Sequence, residues 1–197
     1  KIGAIFNGAW DKIELNEIPI TIMAEEAGLE PLEWLFDQDL DTQFVGKMYQ
    51  NNDDGVSKLL SHRNAIIALS DAGAHVEFLC DAGFGLYFLQ HWVRKTGTFT
   101  LTHAVKKLTS EPASRYRIKK RGEIKEGYFA DLVLFSPDAV GISKLYRLND
   151  LPGQGSRLMR DANGVFGVWV NGSRVIDEDN KPMAQEGPGH ILREFDF

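Results

Sequence analysis

A carboxylate and a histidine follow one apolar segment of the chain. Residues 65–75 have the sequence AIIALSDAGAH, in which five apolar residues precede Ser70, Asp71 and, after Gly73, His75. In a barrel of parallel strands the reacting groups lie at the carboxyl ends of the strands, where Asp71 would stand. A carboxylate there can accept a proton from water, bind a metal ion, or do both. The same position also suits an aspartate that only caps the following turn.

The other residues with suitable chemistry do not complete a site. The remaining histidines are His62, His91, His103 and His190. No two histidines show the H-x-H, H-x-x-x-H or H-E-x-x-H spacing of a metal site. We expect His91 and His103 to be packing or surface residues and Cys80 to be a small buried residue. No G-x-S-x-G, phosphate loop or G-x-G-x-x-G motif is present.

The first half of the sequence alternates helical and extended patterns. Helices are predicted from a Thr21 cap to Ala27, with Gly28 closing it, from Pro31 to about Leu40, and from Asp53. Strands are predicted over 44–49 and 65–70, and the second is apolar enough to be a parallel strand buried on both faces. A strand, a helix and a strand in this order predict a βαβ unit.

The second half continues with two helices and then changes to strands. Helices are predicted over 85–95 and 101–108, and two short strands are predicted in RGEIKEGYFADLVLF. Asn171-Gly172 fits the two-residue turn of a hairpin, because both positions need positive φ. The glycine-rich stretch 141–164 is predicted to be a long surface loop.

Composition excludes several classes of protein. The chain has 197 residues, with 28 acidic and 22 basic side chains and a net charge of −6, which argues against nucleic acid or an anionic membrane as a partner. The single cysteine predicts a reducing compartment, so we expect a cytoplasmic protein. No run approaches the roughly twenty apolar residues of a membrane helix.

Several motifs together resemble one known family. They are WDKIELN, ITIMAEEAGLEPLEWLFD, ALSDAGAH, AVKKLTSEPASRYRIKKRGEIKEGYFADLVLFSPDAV and GVWVNGSRVI. In this order they resemble the C-terminal third of the amidohydrolase superfamily, and most closely its D-aminoacylase branch, the N-acyl-D-amino-acid deacylases. The resemblance spans most of residues 10–178, and its most specific part is 108–135.

The resemblance implies an α/β fold, in which the C-terminal portion of a (β/α)8 TIM-type barrel is followed by a small β-sandwich. Residues 1–115 would supply the last βα units of the barrel, and residues 116–197 the sandwich and a C-terminal strap. Ile124, Leu132 and Leu134 would face the sandwich core.

The resemblance also implies the chemistry. Asp71 matches the aspartate that lies at the metal, takes the proton of the attacking water and passes it to the leaving nitrogen, and His75 would bind substrate. Asp131 is expected to bond backbone amides. The implied activity is the zinc-dependent hydrolysis of a small-molecule amide, an N-acyl-D-amino acid. Because the other metal ligands of the family are absent, this chain alone is expected to be inactive.

Two alternatives remain open from the sequence. The chain could be a non-catalytic docking or oligomerisation module derived from the same fold, or the substrate could be a cyclic amide or a nucleobase. Formation of a homo-oligomer and association with the remainder of the barrel are both compatible with the sequence.

Overall fold

The computed structural model describes most of the chain. The described residues are 9–40, 42–46, 52–68, 70, 72–183 and 187–192. They belong to two compact units, Lys1–Val56 and Ser57–Phe197. None of the described helices has the length and apolar character needed to span a membrane.

The first unit contains a small antiparallel sheet and two helices. Its elements are a 3-10 turn (Trp10–Lys12), β1 (Ile13–Leu15), β2 (Ile18–Pro19), α1 (Ile20–Ala27), α2 (Pro31–Phe36) and β3 (Val45–Gly46). The central strand β1 pairs with β2 on one side and with β3 on the other. Ile13, Ile20 and Ala24 are buried and form the core of this unit.

The helix predictions in this unit are confirmed apart from their ends. Gly28 closes α1 in the left-handed conformation with φ 68°, and Pro31 begins α2. Pro19 rather than Thr21 precedes the first turn of α1, so the predicted cap is wrong. Helix α2 ends at Phe36, four residues before the predicted end.

The predicted parallel βαβ unit is not formed by the described residues. Helix α3 (Asp53–Ser61) is present, but β3 pairs antiparallel with β1, and residues 65–68 form no strand. A strand requires backbone partners, and the Ala65 carbonyl instead accepts a hydrogen bond from the Lys107 Nζ at 2.9 Å. Residues 47–51 lie outside the described part of the chain.

Helices build the core of the second unit. Helix α4 (Phe84–Tyr87) continues into a π-helix (Phe88–Lys95), and α5 (Leu101–Leu108) and α6 (Ser110–Arg115) follow. Thr100 caps α5, since its hydroxyl accepts a hydrogen bond from the His103 amide at 3.3 Å. The buried apolar residues of these helices and their connection are Phe88, Leu89, Trp92, Phe99, Ala104 and Ala113. Both predicted helices are therefore confirmed.

An antiparallel sheet of three strands carries the predicted hairpin. The strands β4 (Leu132–Phe135), β9 (Val165–Val170) and β10 (Ser173–Ile176) lie in the order β10-β9-β4. Asn171 and Gly172 connect β9 to β10 with φ of 49° and 83°, which confirms the predicted turn.

The stretch 141–164 is structured, so the prediction of a surface loop is wrong. Strands β5 (Gly141–Ile142) and β8 (Ala162–Asn163) pair with each other, and β6 (Tyr146–Leu151) and β7 (Gly155–Met159) form a hairpin between them. A 3-10 turn over Pro152–Gln154 closes the hairpin, with Gly153 at φ 70°. The glycines thus mark a turn between strands and not a long loop.

The expected burial around β4 is also wrong for the described residues. Ile124, Leu132 and Leu134 are 93%, 38% and 55% exposed. Strand β4 is an edge strand that pairs only with β9, and Ile124 precedes it in a segment with no strand pairing. The second strand predicted in this block is therefore absent. The predicted strap begins with a bridge between Ile176 and Pro182.

Candidate functional site

Asp71 lies outside the described residues, and its role therefore stays a prediction. Described segments precede and follow it in the chain, at residues 52–68 and 72–183. Both flanks are held through their carbonyl oxygens by cationic side chains from elsewhere in the second unit.

Helices α5 and α6 hold the segment that leads to Asp71. Lys107 is 1% exposed, and its Nζ donates to the Ala65 carbonyl at 2.9 Å. The Arg115 guanidinium donates to the Arg63 carbonyl at 2.9 Å. Lys107 also faces Glu111 Oε2 at 3.5 Å, so the buried ammonium has one charged partner. A hydrogen bond from a cation to a carbonyl is stronger than one between neutral groups, and these contacts fix the segment.

The loop that follows Asp71 contains a tight turn at His75. His75 has φ 50°, and its carbonyl accepts the amides of Phe78 and Leu79, both at 2.9 Å. Its imidazole stacks on the Phe78 ring at a centroid distance of 4.9 Å and an interplanar angle of 25°. His75 is exposed, so its ring is accessible four residues after Asp71.

A hairpin that sequence reasoning missed contacts this loop. We call residues 146–160, comprising β6, β7 and the arginine after them, the arginine hairpin. Three donors of the arginine hairpin reach three loop carbonyls: Leu158 N to Val76 O at 2.8 Å, Arg147 Nη2 to Glu77 O at 3.0 Å, and Arg160 Nε to Cys80 O at 3.4 Å. Three arginines lie in or directly after two short strands here, and this is the only signal in the sequence that could have suggested such a contact.

Two other polar side chains of the arginine hairpin, Arg157 and Tyr146, bind partners in the hairpin or next to it. Arg157 binds Asp150 through two hydrogen bonds of 2.7 and 2.5 Å, which hold the pKa of that carboxyl below its ordinary value. The Tyr146 hydroxyl donates to Asp161 at 2.9 Å, and this hydrogen bond raises the pKa of the phenol. Neither interaction reaches the loop after Asp71.

The predicted structural role of Asp131 is confirmed. Its Oδ1 accepts the Asn171 amide at 2.9 Å, and its Oδ2 pairs with Arg121, whose guanidinium lies 4.3 Å from the Phe129 ring centroid. Burial raises the pKa of Asp131, but the Asn171 and Arg121 contacts outweigh burial, so its pKa lies below the ordinary 3.8.

The described residues contain no cluster of three histidine, cysteine or acidic side chains that could hold a metal ion. His91 stacks on Tyr87 at 5.2 Å, and His103 lies edge-on to Phe99 at 5.4 Å, so the packing roles predicted for both are confirmed. Cys80 is a free, partly exposed thiol, less buried than predicted.

Comparison with known proteins gives a family and several relatives. The sequence model described as "Amidohydrolase family" matches residues 17–176. An N-acyl-D-aspartate deacylase of Alcaligenes xylosoxydans xylosoxydans is 33% identical over 104 residues, which are 53% of this chain and 19% of the relative. A D-aminoacylase of the same organism is 36% identical over 90 residues, 46% of this chain and 17% of the relative. A dihydroorotase of Clostridium acetobutylicum is 50% identical over 85 residues, 43% of this chain and 20% of the relative.

Solved structures show a similar fold. A crystal structure of D-aminoacylase matches with a TM-score of 0.54 and 26% identity, covering 84% of this chain and 32% of that chain. The N-acyl-D-glutamate deacylase of Bordetella bronchiseptica, complexed with zinc and a phosphonate inhibitor, matches with a TM-score of 0.57 and 23% identity. The match covers 96% of this chain and 39% of that chain. At that identity the second match shows the fold alone. The chain spans about a fifth of the length of the curated relatives.

Proposed function

Because the chain belongs to the amidohydrolase family, we propose that the whole protein hydrolyses a carbon–nitrogen bond other than a peptide bond, with an N-acyl-D-amino acid as its substrate. The observation that carries this proposal is the similarity to two relatives named as deacylases, each at least 33% identical over its aligned part. Since the chain spans about a fifth of those relatives, the activity is proposed for the whole protein.

The proposed general base is Asp71. Its carboxylate accepts a proton from the attacking water as the water oxygen bonds to the acyl carbon. When the carbon–nitrogen bond breaks, the same carboxyl returns the proton to the leaving amine nitrogen, so that a carboxylic acid and a free amino acid are released. The carbonyl anchors on residues 63–65 and 76–80 support this role, because they hold the backbone on both sides of Asp71.

The proposed role of His75 is substrate binding. Its ring is exposed, is ordered by stacking on Phe78, and follows Asp71 by four residues on a turn with its own hydrogen bonds. An imidazole in this place can donate a hydrogen bond to a carboxylate or an amide oxygen of the substrate.

Zinc is the proposed cofactor of the whole protein. The support is the zinc-bound neighbour and its shared fold. The described residues do not fit a zinc site, since no metal-binding cluster occurs among them, and Asp71, the one proposed ligand of this chain, lies outside them. Asp71 alone carries both proton transfers of the proposed reaction.

The finer architecture is proposed on the same basis. Residues 1–115 would belong to the last βα units of a TIM-type barrel, and residues 116–197 to a small β-sandwich. The matches to two deacylase structures with TM-scores of 0.54 and 0.57 support a shared amidohydrolase fold.

Kinetic assays of the full-length protein test the proposed function. N-acetyl-D-amino acids should be hydrolysed faster than their L enantiomers, and a chelator should abolish turnover until zinc is restored. Absence of hydrolysis of every D substrate would refute the substrate class, and turnover that survives complete chelation would refute the cofactor.

A cyclic amide is the second candidate substrate. The dihydroorotase match, 50% identical over 85 residues, favours it specifically. Ring opening of dihydroorotate by the same preparation, without hydrolysis of N-acetyl-D-amino acids, would favour this candidate. Inactivity on both substrate classes would favour the docking module.

A further inference from the structure

The loop after Asp71, residues 72–80, makes few hydrogen bonds to the rest of the second unit. Within residues 72–80, the turn at His75 accounts for the hydrogen bonds that the loop makes to itself. Among the described residues, the hydrogen bonds that join this loop to another element all end on the arginine hairpin. The orientation of the loop therefore depends on that hairpin.

The two arginines that reach the loop are themselves fixed. Arg147 donates through Nη1 to the Ser156 hydroxyl at 2.8 Å, which ties its guanidinium to the opposite strand of the hairpin. Arg160 donates through Nη1 to the Ser143 carbonyl at 3.0 Å. Because a guanidinium is planar, a second hydrogen bond fixes the direction of the first. Each arginine therefore fixes the position of one loop carbonyl with respect to the hairpin.

The anchored carbonyls lie within and at the end of the turn that begins at His75. Those of Val76 and Glu77 follow His75 directly, and that of Cys80 ends the turn. Because the peptide groups between them are planar, holding these carbonyls leaves the backbone at His75 few alternative directions.

We propose that the arginine hairpin positions the loop on which His75 stands, and that Arg147 and Arg160 are positioning residues for the hydrolysis proposed above. The kinetic part of this inference rests on the proposed function; the docking of the hairpin on the loop does not. Neither arginine is assigned contact with the reacting atoms. A displacement of about 1 Å in an active site can reduce turnover by about 100-fold, so loss of either anchor should slow the reaction.

The chain provides a matched control. Arg157 lies on β7 directly before Leu158, whose amide contacts the loop, but the Arg157 guanidinium binds Asp150 and does not reach the loop. Replacing Arg157 by alanine removes a cation of the same hairpin while all three loop contacts remain. Replacing Arg147 or Arg160 by alanine removes one loop contact each.

The experiment compares Arg147→Ala, Arg160→Ala and Arg157→Ala in the full-length protein. The first two should increase amide exchange of peptides covering 72–83 by about tenfold, as expected for the loss of one charge-assisted hydrogen bond. They should also lower kcat by about 10- to 100-fold, with a smaller change in KM. Arg157→Ala should change neither quantity. Millimolar ethylguanidinium should partly restore kcat of Arg160→Ala.

Two results would overturn the inference. One is unchanged exchange of the loop in both Arg147→Ala and Arg160→Ala, and the other is a fall in kcat no larger than that of Arg157→Ala. If an alanine variant does not fold, Arg147→Lys and Arg160→Lys replace it, since all donors of lysine lie on one nitrogen and cannot reproduce the planar fork by which the guanidinium reaches two separate acceptors. A wild-type protein inactive on N-acetyl-D-amino acids would refute the proposed function, whereas the exchange data would still decide whether the hairpin holds the loop.

Discussion

Replacement of Glu111 by glutamine should destabilise helices α5 and α6, because it leaves the ammonium of Lys107 buried without a carboxylate partner. The Lys107 side chain is 2% exposed and that of Glu111 is 25% exposed, with Nζ and Oε2 3.5 Å apart. The Ala65 carbonyl also accepts from Nζ at 2.9 Å, which keeps the ammonium in place when Glu111 loses its charge.

The expected loss follows from the distance and the burial of this pair. At 3.5 Å and an effective dielectric constant of about 20, the Coulomb attraction is about 5 kcal/mol, which is an upper limit because water reaches Glu111. Breaking a buried ion pair costs about 3–5 kcal/mol, and an exposed pair contributes about 0.2–1 kcal/mol. With one partner buried and the other partly hydrated, we expect a decrease of about 1–3 kcal/mol in the free energy of unfolding.

The assay is urea-dependent amide exchange of residues 101–115 in the full-length protein, with Glu178→Gln as the control. Glu178 pairs with Arg174 four residues away at 2.8 Å, but the two side chains are 69% and 32% exposed. If distance decided the strength of these ion pairs, Glu178→Gln would lower the free energy of unfolding more than Glu111→Gln. Because burial decides it, we expect Glu178→Gln to lower the free energy of unfolding by about 0.5 kcal/mol or less. A loss for Glu111→Gln no larger than that for Glu178→Gln would refute the reasoning.

Two further predictions concern the sheet of the second unit. The hydrogen bond from the Asn171 amide and the pairing with Arg121 outweigh burial and hold the pKa of Asp131 below 3.8, so the two contacts stabilise the fold above that pH and are weakened as the pH falls through the lowered pKa. Thermal melting between roughly pH 6 and pH 2 should therefore show a smaller loss of Tm in Asp131→Asn than in the wild type, and equal losses would contradict this. Gly164 has φ 64°, and a Cβ there would lie 2.6 Å from backbone atoms of residues 139 and 140, whereas at Gly172, with φ 83°, it would meet nothing within 4 Å. Urea unfolding should show that the free energy of unfolding falls by about 3 kcal/mol or more in Gly164→Ala and by about 1–2 kcal/mol in Gly172→Ala. Similar decreases in the two variants would show that the structure relieves the close contact at Gly164 at little cost.

Features with a local physical cause were predictable from the sequence. Helix α5 has the predicted bounds because a capping threonine and an amphipathic pattern both lie within its own residues. The Asn171-Gly172 turn was predictable because positive φ at two consecutive positions selects these residue types. Asp131 is an exception to this division, since its Oδ1 accepts the amide of Asn171, 40 residues away, and its role was expected from the family resemblance.

Features that depend on distant partners were not predictable. The apolar segment 65–68 has the composition of a buried strand, but the Ala65 carbonyl bonds Lys107, 42 residues away, and none of the described strands pairs with this segment. The two arginines of the arginine hairpin reach the loop after Asp71 across 70 and 80 residues of sequence. Its contacts end on backbone carbonyls, which every residue carries, so residue types in the loop give no sign of them.

The most direct test of the proposed chemistry is the turnover number of Asp71→Asn in the full-length protein, measured from pH 5 to 9 with N-acetyl-D-amino acids. If Asp71 carries the proton between water and the leaving nitrogen, kcat should fall by about 10²- to 10⁴-fold at every pH, and the decrease on the acidic side should disappear. A variant that keeps kcat within a few-fold of the wild type, with the same pH profile, would contradict the proposed role of this carboxylate.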